Sequence, residues 1–254
     1  MRTDEGPRIS IIVPTLNEES HIALLLNSLR GQSSVSFETL VVDGGSNDRT
    51  SKIAIEHNAR VVVLPAHGEF VSRNVGAKMS KGNYLLFTCA DIIFPKDVLR
   101  RIIQKFEKNP ELVALSGPGH PFDGPLLGKI EYAVYNFVRY IFARLPKPLK
   151  RFSTSTNFLV IRRRQFDKTG GFVVDDINAD GLMGKELLDI GKVAFFSDTY
   201  VYSSARRMKS MGFIDFNKHY FYAIENFFFF SSNRSAVKAW KQRSGRRHGQ
   251  MHKI

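Results

Sequence analysis

Apolar residues near the start of the chain come in short runs, each followed by a stretch in which they return every three or four positions. The runs Ile9–Val13, Thr39–Val42, Arg60–Leu64 and Tyr84–Thr88 are short and bounded by turn residues, so each predicts a buried β-strand. Between the first two, Ile22, Leu25, Leu26 and Leu29 fall on one side of a helix. Asn17 to Ser20 supply cap-forming side chains ahead of it, and Asp48 and Thr50 open a second helix. Pro95 stands where a first helical turn tolerates proline, before a helix over Val98–Phe106. Strands alternating with helices predict an α/β fold, a mostly parallel sheet covered on both faces.

After Pro110 the pattern changes. A strand at Leu112–Leu115 leads into the turn-rich Gly117–Gly128, and Lys129–Arg144 then repeats Ile130, Ala133, Val134, Phe137, Ile141 and Phe142 at helical spacing until Lys147-Pro148 ends it. A strand at Asn157–Ile161, a break at Gly170-Gly171, a helix near Asp180–Ile190 and a strand at Lys192–Phe196 follow. The tail is aromatic, with Phe213, Phe216, Tyr220, Phe221, Phe227 and Phe228, and then basic; from Phe230 onward it has seven Lys/Arg and no acid. This organisation predicts a domain over residues 1–212 and an appendage over 213–254. No internal repeat is visible.

Composition narrows the partners. With 254 residues the chain is long enough to bury a sizeable core, and 37 Lys+Arg against 24 Asp+Glu give a formal charge of +13. That balance favours an anionic partner: nucleic acid, a nucleoside diphosphate or acidic lipid headgroups. Cys89 is the one cysteine, which rules out an intrachain disulfide and points to a reducing, cytoplasmic compartment. The polar Met1–Arg8 does not read as a secretory signal, and no stretch approaches the ~20 apolar residues that span a bilayer. The expectation is a protein that lies on a membrane at most.

In an open α/β sheet, ligands sit beyond the carboxyl ends of the strands. Pro14-Thr15-Leu16-Asn17-Glu18 follows the first strand, Asp43-Gly44-Gly45-Ser46-Asn47-Asp48 the second, and Cys89-Ala90-Asp91 the fourth. A carboxylate such as Asp43 can accept from a nucleobase N–H, although Asn17 and Asp43 also suit a purely capping role. The runs ISIIVPTLNEE, VVDGGSNDRT and SRNVGAKMSKGNYLLFTCADI resemble, in order and spacing, the family 2 glycosyltransferases of the GT-A fold. The resemblance implies a mostly parallel mixed sheet flanked by helices, an inverting transfer from a UDP- or GDP-sugar, and a divalent metal, Mg²⁺ or Mn²⁺.

It implies donor contacts from Pro14, Thr15, Glu18, Asp43 and Ala90, and from Arg73 and Asn74, read as the start of the helix before the fourth strand. Asp91 is the candidate metal ligand. The family usually has a second aspartate two residues earlier, where this chain has Cys89. A thiol is a poor partner for Mg²⁺ or Mn²⁺, so either Asp91 holds the metal with phosphate oxygens and water, or metal dependence is weakened. The Ser203-Ser204-Ala205-Arg206-Arg207 run resembles a segment that closes over the donor diphosphate, making Arg206 and Arg207 candidates for that clamp. His219, set among aromatic residues, is a weaker metal candidate.

An inverting transfer needs a base on the acceptor side. The family places an acidic pair at the start of a helix; here the pair reads Ala179-Asp180, which makes Asp180 the candidate and leaves Asp176 as its rival. An acceptor that is already a phosphate would need such a base less.

Lys129–Arg151 combines its apolar stripe with Arg139, Arg144, Lys147, Lys150 and Arg151, a pattern that fits either a membrane surface or packing on the core. A lipid-linked acceptor, a polyprenyl or dolichyl phosphate or a lipid-linked saccharide, is therefore expected, with peripheral contact at the cytoplasmic face. A soluble saccharide acceptor is the alternative. A non-catalytic nucleic-acid binder would also suit the charge, but no helix-turn-helix, zinc-finger or RNA-binding aromatic motif is present, so no specific nucleic-acid partner is expected. The first loop lacks the G-x-G-x-x-G of a nicotinamide enzyme and the glycine-rich basic loop of a nucleotidyltransferase.

Overall fold

Strands buried on both faces are apolar along their whole length, and the runs at Ile9–Val13, Tyr84–Thr88 and Leu112–Leu115 take that position, whereas Arg60–Val63 is an edge strand with Arg60 and Val63 exposed, contrary to its expected burial. The computed structural model describes residues 6–32, 34–65, 67–173 and 179–206. In chain order they form β1 (Ile9–Thr15), α1 (Ile22–Arg30), β2 (Phe37–Asp43), α2 (Thr50–Glu56), β3 (Arg60–Val63), α3 (Glu69–Met79), β4 (Tyr84–Thr88) and β5 (Ile92–Ile93). There follow α4 (Val98–Lys108), β6 (Leu112–Ser116), β7 (Gly119–Pro121), α5 (Leu126–Phe142), α6 (Lys147–Lys150), a 3-10 turn over Arg151–Ser153, β8 (Phe158–Arg162), α7 (Arg163–Thr169), α8 (Ala179–Ile190), β9 (Lys192–Phe195) and β10 (Val201–Ser203). Asp175, Asp176, Arg207, His219 and the appendage 213–254 lie outside the described residues.

The main sheet is ordered β3-β2-β1-β4-β8-β6-β9. Only β8 runs antiparallel to its neighbours β4 and β6; the other pairs are parallel, which makes the sheet mixed but mostly parallel. Successive β-strand residues face opposite sides. Ile9, Ile11 and Val13 accordingly join the cluster with Leu25, Leu29, Ile102 and Phe106 of α1 and α4. Ile12, Leu85 and Phe87 join the opposite cluster with Phe70, Phe166, Met183 and Leu187 of α3, α7 and α8. Gly76 lets α3 lie close to the sheet, since a Cβ there would stand 2.5 Å from Ile12 Cγ2. A smaller sheet, β5-β10-β7, brings the end of the described chain back beside the loop after β4.

Three local expectations change. Helix α3 begins at Glu69, so Arg73 and Asn74 sit in its middle and not at its start. Helix α1 has His21 at its N-cap with no side-chain capping bond, and the polar residues before it serve other partners described below. Pro148 lies in the first turn of α6 after α5 has stopped at Phe142. The two- and three-residue strands β5, β7 and β10 carry too few residues to show a period.

The largest surprise is the orientation of α5. Its buried residues are Gly128, Asn136 and Arg139, while Leu126 is 74% and Phe137 63% exposed. The stripe therefore does not pack on the core. Arg139 turns inward instead and donates to Ser116 Oγ at 2.7 Å, Gly117 O at 3.1 Å and Ser153 O at 2.8 Å. The Asn136 amide also points inward, bonding the Gly119 N–H and carbonyl. Among the described residues no helix is long and apolar enough to cross a membrane.

Candidate active site

The loops after β1 and β2 are knitted to each other. Gly44 N–H donates to Thr15 O at 2.8 Å, Asn17 N–H to Ser46 Oγ at 2.8 Å, and Asn47 N–H back to Asn17 Oδ1 at 2.9 Å. Glu18 N–H donates to Thr50 Oγ1, and Glu19 exchanges contacts with Asp48 and Arg49. The polar residues expected to cap α1 are thus used to join two strand ends. Asp48 does serve α2, accepting from the Thr50 amide. Burial pushes the Asp48 carboxyl up, but its hydrogen bonds from Thr50 and Glu19 outweigh this and hold it below the usual aspartate value.

Asp43, opposite Thr15 in the β1–β2 register, is buried, and its carboxylate accepts from Gly45 N–H, Ser46 N–H, Ser46 Oγ and the Ser51 hydroxyl. It shapes the turn in which Gly45 takes φ +92°. Beside it the Thr15 hydroxyl is buried and has no hydrogen-bond partner among the described residues. Pro14 is half-buried on the same strand.

The loop after β4 supplies a different node. Arg206 donates through Nε to Asp91 Oδ2 at 2.9 Å and through both terminal nitrogens to Glu18, at 2.6 Å each. The fork-on-carboxylate geometry gives this pair direction as well as strength. His21 Nδ1 stands 3.3 Å from the same guanidinium. Asp123 holds the segment in place, accepting from Ser204 Oγ and from Ala205 N–H at 2.6 Å. Ala90 is buried between the strand end and Asp91.

Cys89 turns away from this node, its thiol donating to Asn157 Oδ1 at 3.2 Å, with the Arg73 guanidinium 3.5 Å away. Among the described residues no group of three or more His, Cys, Asp or Glu could hold a metal. Asp91 offers a hard oxygen that fits Mg²⁺ or Mn²⁺, and diphosphate oxygens and water suit the same ion as further ligands.

Arg73 is internal, which its reading as a diphosphate ligand at a helix start did not foresee. It is fully buried and donates to Thr88 O at 3.0 Å and Glu69 Oε1 at 2.5 Å. Burial depresses its pKa, but the charges of Glu69 and Cys89 and the Glu69 hydrogen bond outweigh this and raise it. The Asn74 amide is likewise committed, donating to Phe172 O at 2.8 Å and accepting from Phe172 N–H at 2.9 Å. It clamps the turn after Gly171.

Asp180 lies in the first turn of α8. Its Oδ2 accepts from Thr156 N–H at 3.1 Å, while Oδ1 is buried with no hydrogen-bond partner among the described residues. Burial pushes this carboxyl up, against the opposing pull of Arg73 and of the Thr156 bond. The buried charge of Arg73, bonded to the end of β4 at Thr88 O, therefore acts on Asp180 electrostatically.

Glu69, Asp123, Thr156, Asn157 and His21 contact the candidate residues or the segments that carry them and were not singled out by the sequence. Glu69 carried a usable signal, four residues before Arg73 on one helix face. Asp123 was visible only as part of a turn-rich stretch, and nothing local marks Asn157 or Thr156.

Residues 10–170 match the family model described as glycosyl transferase family 2. A Haemophilus influenzae protein named "Uncharacterized glycosyltransferase" is 36% identical over 107 residues, 41% of this chain and 36% of that protein. The Staphylococcus aureus poly(ribitol-phosphate) beta-N-acetylglucosaminyltransferase TarS is 37% identical over 101 residues, 37% of this chain and 18% of that one. Both matches take in well under two thirds of the relative's own length. Among solved structures, the mannosyltransferase PcManGT from Pyrobaculum calidifontis, in complex with GDP-Man and Mn²⁺, superposes with a TM-score of 0.61 at 20% identity, covering 79% of this chain and 58% of that one. The likeness shows a shared GT-A fold.

Proposed function

Since the chain belongs to glycosyl transferase family 2, we propose that it moves a sugar, with inversion, from a UDP- or GDP-sugar to a lipid-linked acceptor. The observation that supports this best is Asp180 Oδ1 in the first turn of α8, buried and without a hydrogen-bond partner among the described residues. A raised carboxyl with a free oxygen suits a base.

In the transfer, Asp180 Oδ1 takes the proton of the acceptor hydroxyl as that oxygen bonds to the anomeric carbon. The bond from that carbon to the diphosphate oxygen breaks, and the nucleoside diphosphate leaves with the electron pair. Asp91, with diphosphate oxygens and water, would hold Mg²⁺ or Mn²⁺, which supplies positive charge to the leaving group when bound. Arg206 turns from Glu18 and Asp91 to the diphosphate and adds a forked donor there. The base of the nucleotide rests against Pro14 and Thr15, whose unpartnered hydroxyl receives a hydrogen bond or donates one. The acceptor meets the protein at the cytoplasmic face of a membrane.

Thermal-shift measurements with UDP- and GDP-sugars, with and without Mn²⁺, test the donor reading. Stabilisation by at least one nucleotide sugar, larger with metal, is expected; no response to any of them would overturn the proposal.

A further inference from the structure

We propose that the outward face of α5 is a docking surface for an anionic lipid bilayer, seating the site beside the membrane. Leu126, Ile130, Val134, Phe137 and Ile141 recur at i, i+4, i+8, i+11 and i+15 and form one stripe, and each is between 40% and 74% exposed. A surface helix in water buries such a stripe. Here the opposite side, with Asn136 and Arg139, is the buried one. The stripe is too contiguous for scattered surface apolar residues.

Charge identifies the occupant. From Leu126 to Arg151 there are six Lys/Arg and one acid, Glu131. Arg139 is spent inward, while Lys129, Arg144, Lys147 and Lys150 lie along and beyond the helix. Arg144 also lies over the Tyr140 ring, 3.2 Å from its centroid. An apolar stripe with basic and aromatic residues matches the boundary between acyl chains and acidic headgroups. A second copy of the chain would oppose the same basic residues across a two-fold axis, where they repel. The basic end of this chain's own tail, with seven Lys/Arg and no acid from Phe230, fits no better.

The docked helix also touches both halves of the site. Arg139 holds Ser153 O, and the next residues, Thr154 and Thr156, bond the Asp180 carbonyl and carboxylate. Tyr132 donates to Ser204 O, two positions before Arg206. An acceptor confined to the bilayer would therefore arrive beside Asp180. That consequence rests on the transferase reading; the lipid docking itself does not.

Cosedimentation of the full chain with phosphatidylcholine vesicles, with and without phosphatidylglycerol, tests it. Binding to the phosphatidylglycerol vesicles that weakens with salt is expected. The Ile130→Glu/Phe137→Glu double variant should lose about tenfold or more of that binding, while Ile55→Glu, at an exposed apolar position on α2, should keep it. Both variants should retain the parent's melting temperature and its thermal response to nucleotide sugars. Three results would overturn the docking surface: no vesicle binding by the parent, equal binding by the double variant, or a parent dimer that the double variant turns into a monomer. Vesicle binding with no response to any nucleotide sugar leaves docking standing and removes the transferase reading. The reverse pattern does the opposite.

Discussion

Asp180 and Arg206 show opposite ways of holding a charge near the strand ends. Asp180 is pushed up by burial, so the folded state keeps its proton to higher pH than the unfolded chain does. The sign follows: stability is lost as pH rises from the ordinary aspartate value through the raised one, and the ionised form is the less stable partner near neutrality. Asp180→Asn should therefore melt no lower than the parent at pH 7 and should keep its donor-induced thermal shift. Its transfer rate should fall by roughly 10²–10⁴-fold. Full turnover by this variant in a radiolabelled-sugar assay would move the base elsewhere. Arg206, in contrast, neutralises Glu18 and Asp91 in the free protein. Its replacement by Ala should tighten donor-free Mn²⁺ binding, read from the free-ion resonance signal, by on the order of tenfold, and should weaken donor binding. Unchanged Mn²⁺ affinity would show that Arg206 does not compete for Asp91. Glu18, Asp91 and Arg206 were each legible from their runs in the chain. The Arg73–Glu69 pair was not, because whether an arginine in a helix is buried depends on what packs over it.

Among the elements, α5 most depends on its polar side. Arg139 satisfies the carbonyls of Gly117 and Ser153 and the Ser116 hydroxyl in a buried setting. Arg139→Ala leaves those groups without their donor and should cost about 3 kcal/mol in denaturant unfolding. A cost near zero would mean that α5 is held by other contacts. Helix α3 depends on the absence of a side chain: Gly76→Val would drive a Cβ against Ile12 and should destabilise by about 2 kcal/mol or more. The period of both helices is plain in the sequence. Which side of α5 faces inward is not, since the usual rule sends the apolar stripe to the core and here a guanidinium found partners there that no stripe could supply.

For the molecule as a whole, the proposed metal role of Asp91, with no cluster of three ligating side chains among the described residues, would make metal and donor interdependent. Asp91 alone is a weak ligand, and Glu18 and Asp91 are already paired with Arg206. Mn²⁺ and the nucleotide sugar together should raise the melting temperature by more than the sum of their separate shifts; additive shifts would indicate independent sites. The alternation of strands and helices, the loops that end β1, β2 and β4, and the lone Asp91 beside Cys89 follow from the sequence by itself, because periodicity and turn chemistry act over a few residues. Tertiary structure alone decided that Arg206 closes on Glu18 and Asp91, that Asp43 accepts from its own turn and from Ser51, that Arg73 is buried against Thr88 and Glu69, and that α5 turns its apolar side outward. Each of these rests on burial or on partners brought together from separate elements, and no local pattern encodes which distant group will be there to satisfy a buried charge.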